Sequence, residues 1–300
     1  MNFGFLMNAD RIHFYDTEII TLPIYTQLIE KVRSELEVAG GWIYPPLVSV
    51  DDKRNFFEKL QFKKNGPMVQ AKYFTLPATH SIMFADGHQD DEFLRFLILG
   101  YGFLLGLYLL PENYLYFCKT PHSSLILHPL LADKNDCEIG IMKIYQFYKS
   151  SAPEDRKQMF AILHWFLMGQ AYDMEWDRFD AQYKVIDGLY RLARSKGIIK
   201  KAPCHASRPV LMAEKFGIQL PSWAALDPQG KSELSEMRNQ LYHEAIFAGE
   251  PIGYKYPKHN YRLEFPNFNL KMICKMLGLN TTYINTPPGD RHVHAWELIP

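Results

Sequence analysis

The stretch Ser232-Glu233-Leu234-Ser235-Glu236-Met237-Arg238-Asn239-Gln240-Leu241-Tyr242-His243 decides how this chain is read. Leu234, Met237, Leu241 and Ala245 recur at the three- and four-residue intervals of one buried helical stripe. Ser232 is placed to cap the first turn, Glu233 lies within that turn, and Gly249 with Pro251 marks the stop. The segment therefore predicts an amphipathic helix carrying an arginine and a histidine. Arginine offers a permanently charged planar fork suited to phosphate, and histidine exchanges a proton near neutral pH. Together they point to phosphodiester chemistry.

No other Arg-x4–6-His spacing occurs in the chain. On an ideal helix, residues five apart point roughly 140° away from each other. Arg238 and His243 therefore cannot serve one phosphate from a regular helix. Either the helix distorts at this point, or a second copy completes the site across a two-fold interface.

Working outward, Trp176, Phe179, Tyr183, Ile186, Leu189 and Ala193 form a second apolar helical stripe. Phe160, Leu163, Leu167 and Ala171 form a third, after Ser151-x-x-Glu154, a candidate capping box. Residues 150–285 read as a helical bundle. The N-terminal half differs: Ile12 to Tyr15, Val69 to Leu76 and Tyr114 to Cys118 carry strand-forming residues between turn residues. The expectation is an α+β chain, with a mixed α/β sensing or regulatory domain over 1–149 and an all-α helical domain over 150–300.

The 238–243 motif and the helix before it resemble the HEPN superfamily, whose signature is an arginine, a polar residue such as Asn, and then a histidine. Arg238, Asn239 and His243 match in type and order. Asp187 stands on the preceding helix where many members carry an acidic residue, usually Glu. The resemblance implies a helical-bundle ribonuclease that needs no metal or other cofactor. His243 would be the general acid or base, Arg238 would stabilise the phosphate, Asn239 would orient either group, and Asp187 would position Arg238. It further implies 2′,3′-cyclic phosphate products and a homodimer formed through the bundle. Large members of the abortive-infection type have a similar plan, which implies antiviral or toxin-like action on tRNA or single-stranded RNA under a trigger or regulatory partner. The alternative function is a catalytically silent HEPN-like module that binds RNA, nucleotide or a protein. A structural alternative pairs Arg238 with an acidic neighbour such as Asp187 and leaves His243 as a surface residue.

Lys and Arg total 33 and Asp and Glu total 33, so the formal charge is zero and non-specific coating of nucleic acid is disfavoured. RNA contact must be local. Two basic clusters offer it: Arg194, Lys196, Lys200, Lys201 and Arg208, and Lys255, Lys258, His259 and Arg262 among Tyr254, Tyr256 and Tyr261. Cys118, Cys137, Cys204 and Cys274 are scattered without metal-type spacing and without a secretory leader, so reduced thiols in a cytoplasm are expected. Phe93 to Leu110 is apolar but contains Arg95, Gly100, Gly102 and Gly106, and reads as a buried helix leading into a strand rather than a membrane span. Phosphate-loop, dinucleotide, nucleophile-elbow and zinc-helix motifs are all missing. His292 and His294 are at most half a metal site, His164 reads as a core histidine, and Cys204-His205 is too short a pattern to propose a nucleophile.

Overall fold

Cross-strand pairing of isoleucines organises the N-terminal part of the chain. In the computed structural model, which describes residues 1–35, 37–39, 42–44, 77–111, 120–121, 134–172, 175–244, 261–281 and 298–299, Ile12 lies opposite Ile19 and Ile19 opposite Ile82. Residues directly opposite in an antiparallel ladder share a face, and these three are almost wholly buried. Each such burial contributes about 1.5–3 kcal/mol.

The strands are β1 (Asn2–Gly4), β2 (Ile12–Phe14), β3 (Thr17–Thr21) and, after α1 (Tyr25–Glu35), β4 (Glu37–Ala39), β5 (Trp42–Tyr44) and β6 (His80–Phe84). Helix α2 (Asp91–Leu105) then leads to β7 (Leu110–Pro111) and β8 (Thr120–Pro121). An antiparallel sheet runs β2-β3-β6-β1-β7, and a smaller one runs β4-β5-β8. The predicted strand at Ile12 stops at Phe14, because Tyr15 turns the chain with φ +50°. The predicted strands Val69 to Leu76 and Tyr114 to Cys118 lie outside the described residues.

The apolar run forms α2, capped by the Asp90 carboxylate on Phe93 N–H at 3.0 Å. Gly106 ends it in the left-handed conformation, φ 66°, which only glycine adopts without cost. Ring contacts Phe3–Tyr101 and Phe84–Phe93 pack α2 against the sheet. The chain then enters β7 beside β1, so the buried helix does lead into a strand. No helix among the described residues is long and apolar enough to cross a membrane.

The chain falls into two compact units, Met1–His128 and Pro129–Pro300. The division falls before the expected 149/150 boundary, since helix α3 (Lys134–Ser150) belongs to the second unit. That unit continues with α4 (Pro153–Ala171), α5 (Glu175–Ser195), α6 (Ser207–Phe216), a 3-10 turn (Ser222–Ala224), α7 (Glu233–Asn239), a π turn (Gln240–Glu244) and α8 (Tyr261–Leu277). Among its described residues it is helical apart from a short ladder of β9 (Asn280–Thr281) with β10 (Leu298–Ile299), which the all-α expectation omitted. The fold is thus mixed α+β.

Helices α4 and α5 form an antiparallel hairpin that meets at glycines. A side chain on Gly169 would stand 2.4 Å from Ala181 Cβ, and one on Gly188 would stand 2.8 Å from Ile162 Cγ1. Trp176, Phe179, Tyr183, Ile186, Leu189 and Ala193 are all buried along α5, as their spacing requires. The Asn269 amide of α8 donates to the Gln182 carbonyl and side chain at 2.9 Å each, and Gln182 reaches the Phe166 carbonyl, so one buried polar chain ties α4, α5 and α8. Trp223, Phe179, Tyr261, Phe265 and Phe268 form a ring cluster beside it.

Two local expectations on α4 are corrected. Ser151 does not cap it: Ala152 is the cap residue with Pro153 in the first turn, and buried Ser151 instead receives Lys196 Nζ at 2.8 Å. Phe160 is 39% exposed, because the buried face runs through Met159, Ile162, Leu163 and Phe166, and Phe160 lies one position off it. Gly169→Ala should destabilise this unit by about 1–3 kcal/mol through overpacking against Ala181. Phe160→Ser should cost little; denaturant melts that rank the two the other way would contradict this packing.

Candidate active site

Helix α7 begins at a reciprocal cap. Ser235 N–H donates to Ser232 Oγ at 3.2 Å, and Ser232 N–H donates to Ser235 Oγ at 3.0 Å. Ser232 thus caps the helix as its sequence predicts, with serine in the role usually held by a glutamate. Leu234 and Met237 are buried and Leu241 half-buried, whereas Ala245, Gly249 and Pro251 lie outside the described residues.

At Gln240 the α-helix gives way to the π turn. A π turn closes i to i+5, so side chains five apart share a face instead of diverging. Arg238 Nη1 and His243 Nε2 accordingly stand 2.6 Å apart. Of the two geometries open to the sequence, helix distortion is the one the chain adopts. A guanidinium has donors only, so Nε2 accepts and carries no proton, and the imidazole proton lies on Nδ1. Arg238 Nη1 also donates to Asn239 Oδ1 at 3.1 Å, so the three motif residues form one hydrogen-bonded group. The guanidinium carbon lies 5.1 Å from the Tyr242 ring centre and 5.9 Å from that of Tyr183. Its Nε–H is buried without a hydrogen-bond partner among the described residues. His243 itself is exposed.

Tyr242 fastens the turn to α5 by donating its hydroxyl to Asp180, which also accepts from Lys184 Nζ at 2.8 Å. Asp187 does not do what was expected of it. Its carboxylate accepts from Arg208 Nη1 at 2.6 Å, so it anchors an arginine of α6 rather than Arg238. The alternative pairing of Arg238 with Asp187 fails on the same bond.

Arg208 Nη2 in turn lies 3.3 Å from His205 Nε2, making a second arginine–histidine pair. Burial first, then the charge of Arg208, lowers the His205 pKa, and the charge of Arg238 acts in the same direction. The two pairs are therefore electrostatic neighbours. Buried Tyr183 lies in the field of Asp187, Arg238 and Arg208; burial foremost, with Asp187, pushes its pKa up to about 12. It remains a protonated hydrogen-bond donor across the physiological range. The exposed Cys204 thiol is held below its ordinary pKa by hydrogen bonding with Ser207.

Beside these groups a cleft of about 560 Å³ opens along α4 and α5, with Arg208, Arg238 and Tyr242 at its edge. Lys200 and Lys201 are exposed and do not line it, and Lys196 is spent on Ser151 and Asp155. Lys255, Lys258, His259 and the Arg262 side chain lie outside the described residues, as do His292 and His294. Among the described residues no group of three His, Cys, Asp or Glu is arranged to hold a metal. Sequence reasoning missed Tyr183, Arg191 and Tyr242, and it grouped Arg194 and Arg208 with the lysines. The available signal was Tyr183, Asp187, Arg191 and Arg194, which share one side of an amphipathic helix.

No protein-family model matches the chain, and no curated protein or solved structure matches it. Asp187→Asn should cost no more than about 1 kcal/mol, as for other partly exposed ion pairs. It should also make Tyr183 ionise at lower pH, because a raising charge is removed and the Arg208 charge is released. Tyrosine-labelled carbon NMR through an alkaline titration reads this, and an unmoved Tyr183 would contradict the arrangement.

Proposed function

We propose that this chain is a metal-independent endoribonuclease of the HEPN type. The observation that carries the proposal is the 2.6 Å contact between Arg238 and an unprotonated His243 nitrogen. Such a pair joins a fixed positive charge to a proton acceptor within the span of one phosphate group.

RNA supplies its own nucleophile. The 2′-hydroxyl oxygen forms a bond to phosphorus, the bond from phosphorus to the 5′-oxygen breaks, and a 2′,3′-cyclic phosphate and a 5′-hydroxyl result. One proton leaves the 2′-hydroxyl and one reaches the departing oxygen. His243 moves a proton in this exchange, a contribution of about 10²- to 10⁴-fold. Arg238 stabilises the charge that develops on the non-bridging oxygens. Asn239 fixes the Arg238 guanidinium by the 3.1 Å bond. Base and guanidinium suffice for this transesterification without a Lewis acid.

The proposal extends to a homodimer formed through the helical unit, to tRNA or single-stranded RNA as substrate, and to a role in antiviral defence or toxin-like arrest of translation. These follow from the resemblance of Arg238, Asn239 and His243 to the family signature.

His243→Ala should lower cleavage of single-stranded RNA in EDTA by about 10²- to 10⁴-fold with the melting curve unchanged, since the side chain is exposed. Arg238→Lys should also be severely impaired, because an ammonium lacks the planar fork. Full activity in the His243 variant would refute the proposal, and sedimentation of an active monomer would refute the dimer.

A further inference from the structure

The cleft along α4 and α5 is lined by cations although the chain as a whole carries no net charge. Lys184, Arg191, Arg194, Arg208 and Arg238 line it against a single carboxylate, Asp187. Two of these cations are neutralised: Lys184 by Asp180 at 2.8 Å and Arg208 by Asp187 at 2.6 Å. Arg191 and Arg194 are exposed and have no carboxylate partner among the described residues. Three residues apart on α5, they project to one side of the helix. A guanidinium matches a phosphate bidentately, so two of them in line suit a backbone that carries a phosphate at every step.

The rest of the lining suits a base. Trp165 of α4, with Lys184 Nζ 4.1 Å from its ring centre, and the 43% exposed Tyr242 supply aromatic surface, over the buried Ile162. Gln158 adds an amide able both to donate and to accept at a base edge. Cations that follow a backbone beside aromatic faces are the usual means of holding single-stranded nucleic acid. The volume falls within the roughly 300–1,000 Å³ of small-ligand sites, and Gln158 to Trp165 spans only about 10 Å of helix. That is room for one nucleotide and its flanking phosphates. The bare Gly188 is needed there, since a Cβ would stand 3.0 Å from Gln158 Nε2 and closer still to Ile162.

We propose that this cleft is a subsite for single-stranded RNA, holding the nucleotide next to the cleaved linkage with its phosphates on Arg191 and Arg194. The subsite rests on the ribonuclease proposal only for which linkage is cut; binding itself requires no catalysis.

A fluorescent 2′-O-methyl oligonucleotide separates the two, because its blocked 2′-oxygen cannot attack phosphorus. Its affinity is measured against salt for the wild type and for Arg191→Gln/Arg194→Gln, both exposed positions, with matched melting curves as the folding control. The double variant should bind at least tenfold more weakly. The slope of log affinity against log salt should fall by about 1.4, from two lost phosphates at about 0.7 each. Trp165→Leu should weaken binding about fivefold or more without changing the slope, as loss of stacking requires. Unchanged affinity and slope in the double variant, no binding by the wild type, or displacement by a glutamate-rich peptide at equal concentration would each overturn the subsite. Binding as described, with no cleavage of the unmodified RNA, would uphold the subsite and refute the ribonuclease.

Discussion

The hydrogen bond between Arg238 and His243 exists because the helix stops being α at Gln240. A regular helix turns about 100° per residue and would send residues five apart to different sides. The π turn over Gln240–Glu244 removes that divergence and places an arginine donor on an imidazole acceptor. Such turns are rare and are frequently found at functional sites. Here the distortion is tethered to α5 by Tyr242 on Asp180.

The scaffold explains why α5 can hold so many polar groups on one side. Its apolar side is buried among α4, α8 and the ring cluster around Trp223, and its closest approach to α4 is through Gly169 and Gly188. With that side committed to packing, Asp180, Lys184, Asp187, Arg191 and Arg194 are left to face the cleft and the motif. Asp187 then spends its charge on Arg208, which brings His205 into the neighbourhood. The helical unit thus presents two arginine–histidine pairs within the electrostatic reach of one protonated tyrosine, Tyr183.

Much of this was legible before any coordinates. The stripes of α5 and α7, the Ser232 cap and the buried helix entering a strand all follow from periodicity and end signals, which act over a few residues. What failed was of two kinds. Periodicity assumes a regular helix, so it registered that Arg238 and His243 diverge but not that a π turn would reunite them. Tertiary choices among like residues also escaped: Asp187 had two arginines within reach and took the one 21 positions away in sequence. Lys196 and Arg191 look alike in a basic segment, yet one is tied to Ser151 while the other lines the cleft. Phe160 was misjudged because a three-four repeat fixes a stripe only to within one position.

In the proposed reaction, Arg238 and His243 direct the 2′-hydroxyl of RNA at its own phosphodiester. The most direct measurement is to map fragment ends from a single-stranded RNA incubated with the protein in EDTA, beside the same RNA with one 2′-deoxy residue at the mapped site. The expected products carry 2′,3′-cyclic phosphate and 5′-hydroxyl ends, with no cleavage at the deoxy position. Fragments ending in 5′-phosphate, or cleavage that persists without the 2′-hydroxyl, would contradict that reaction.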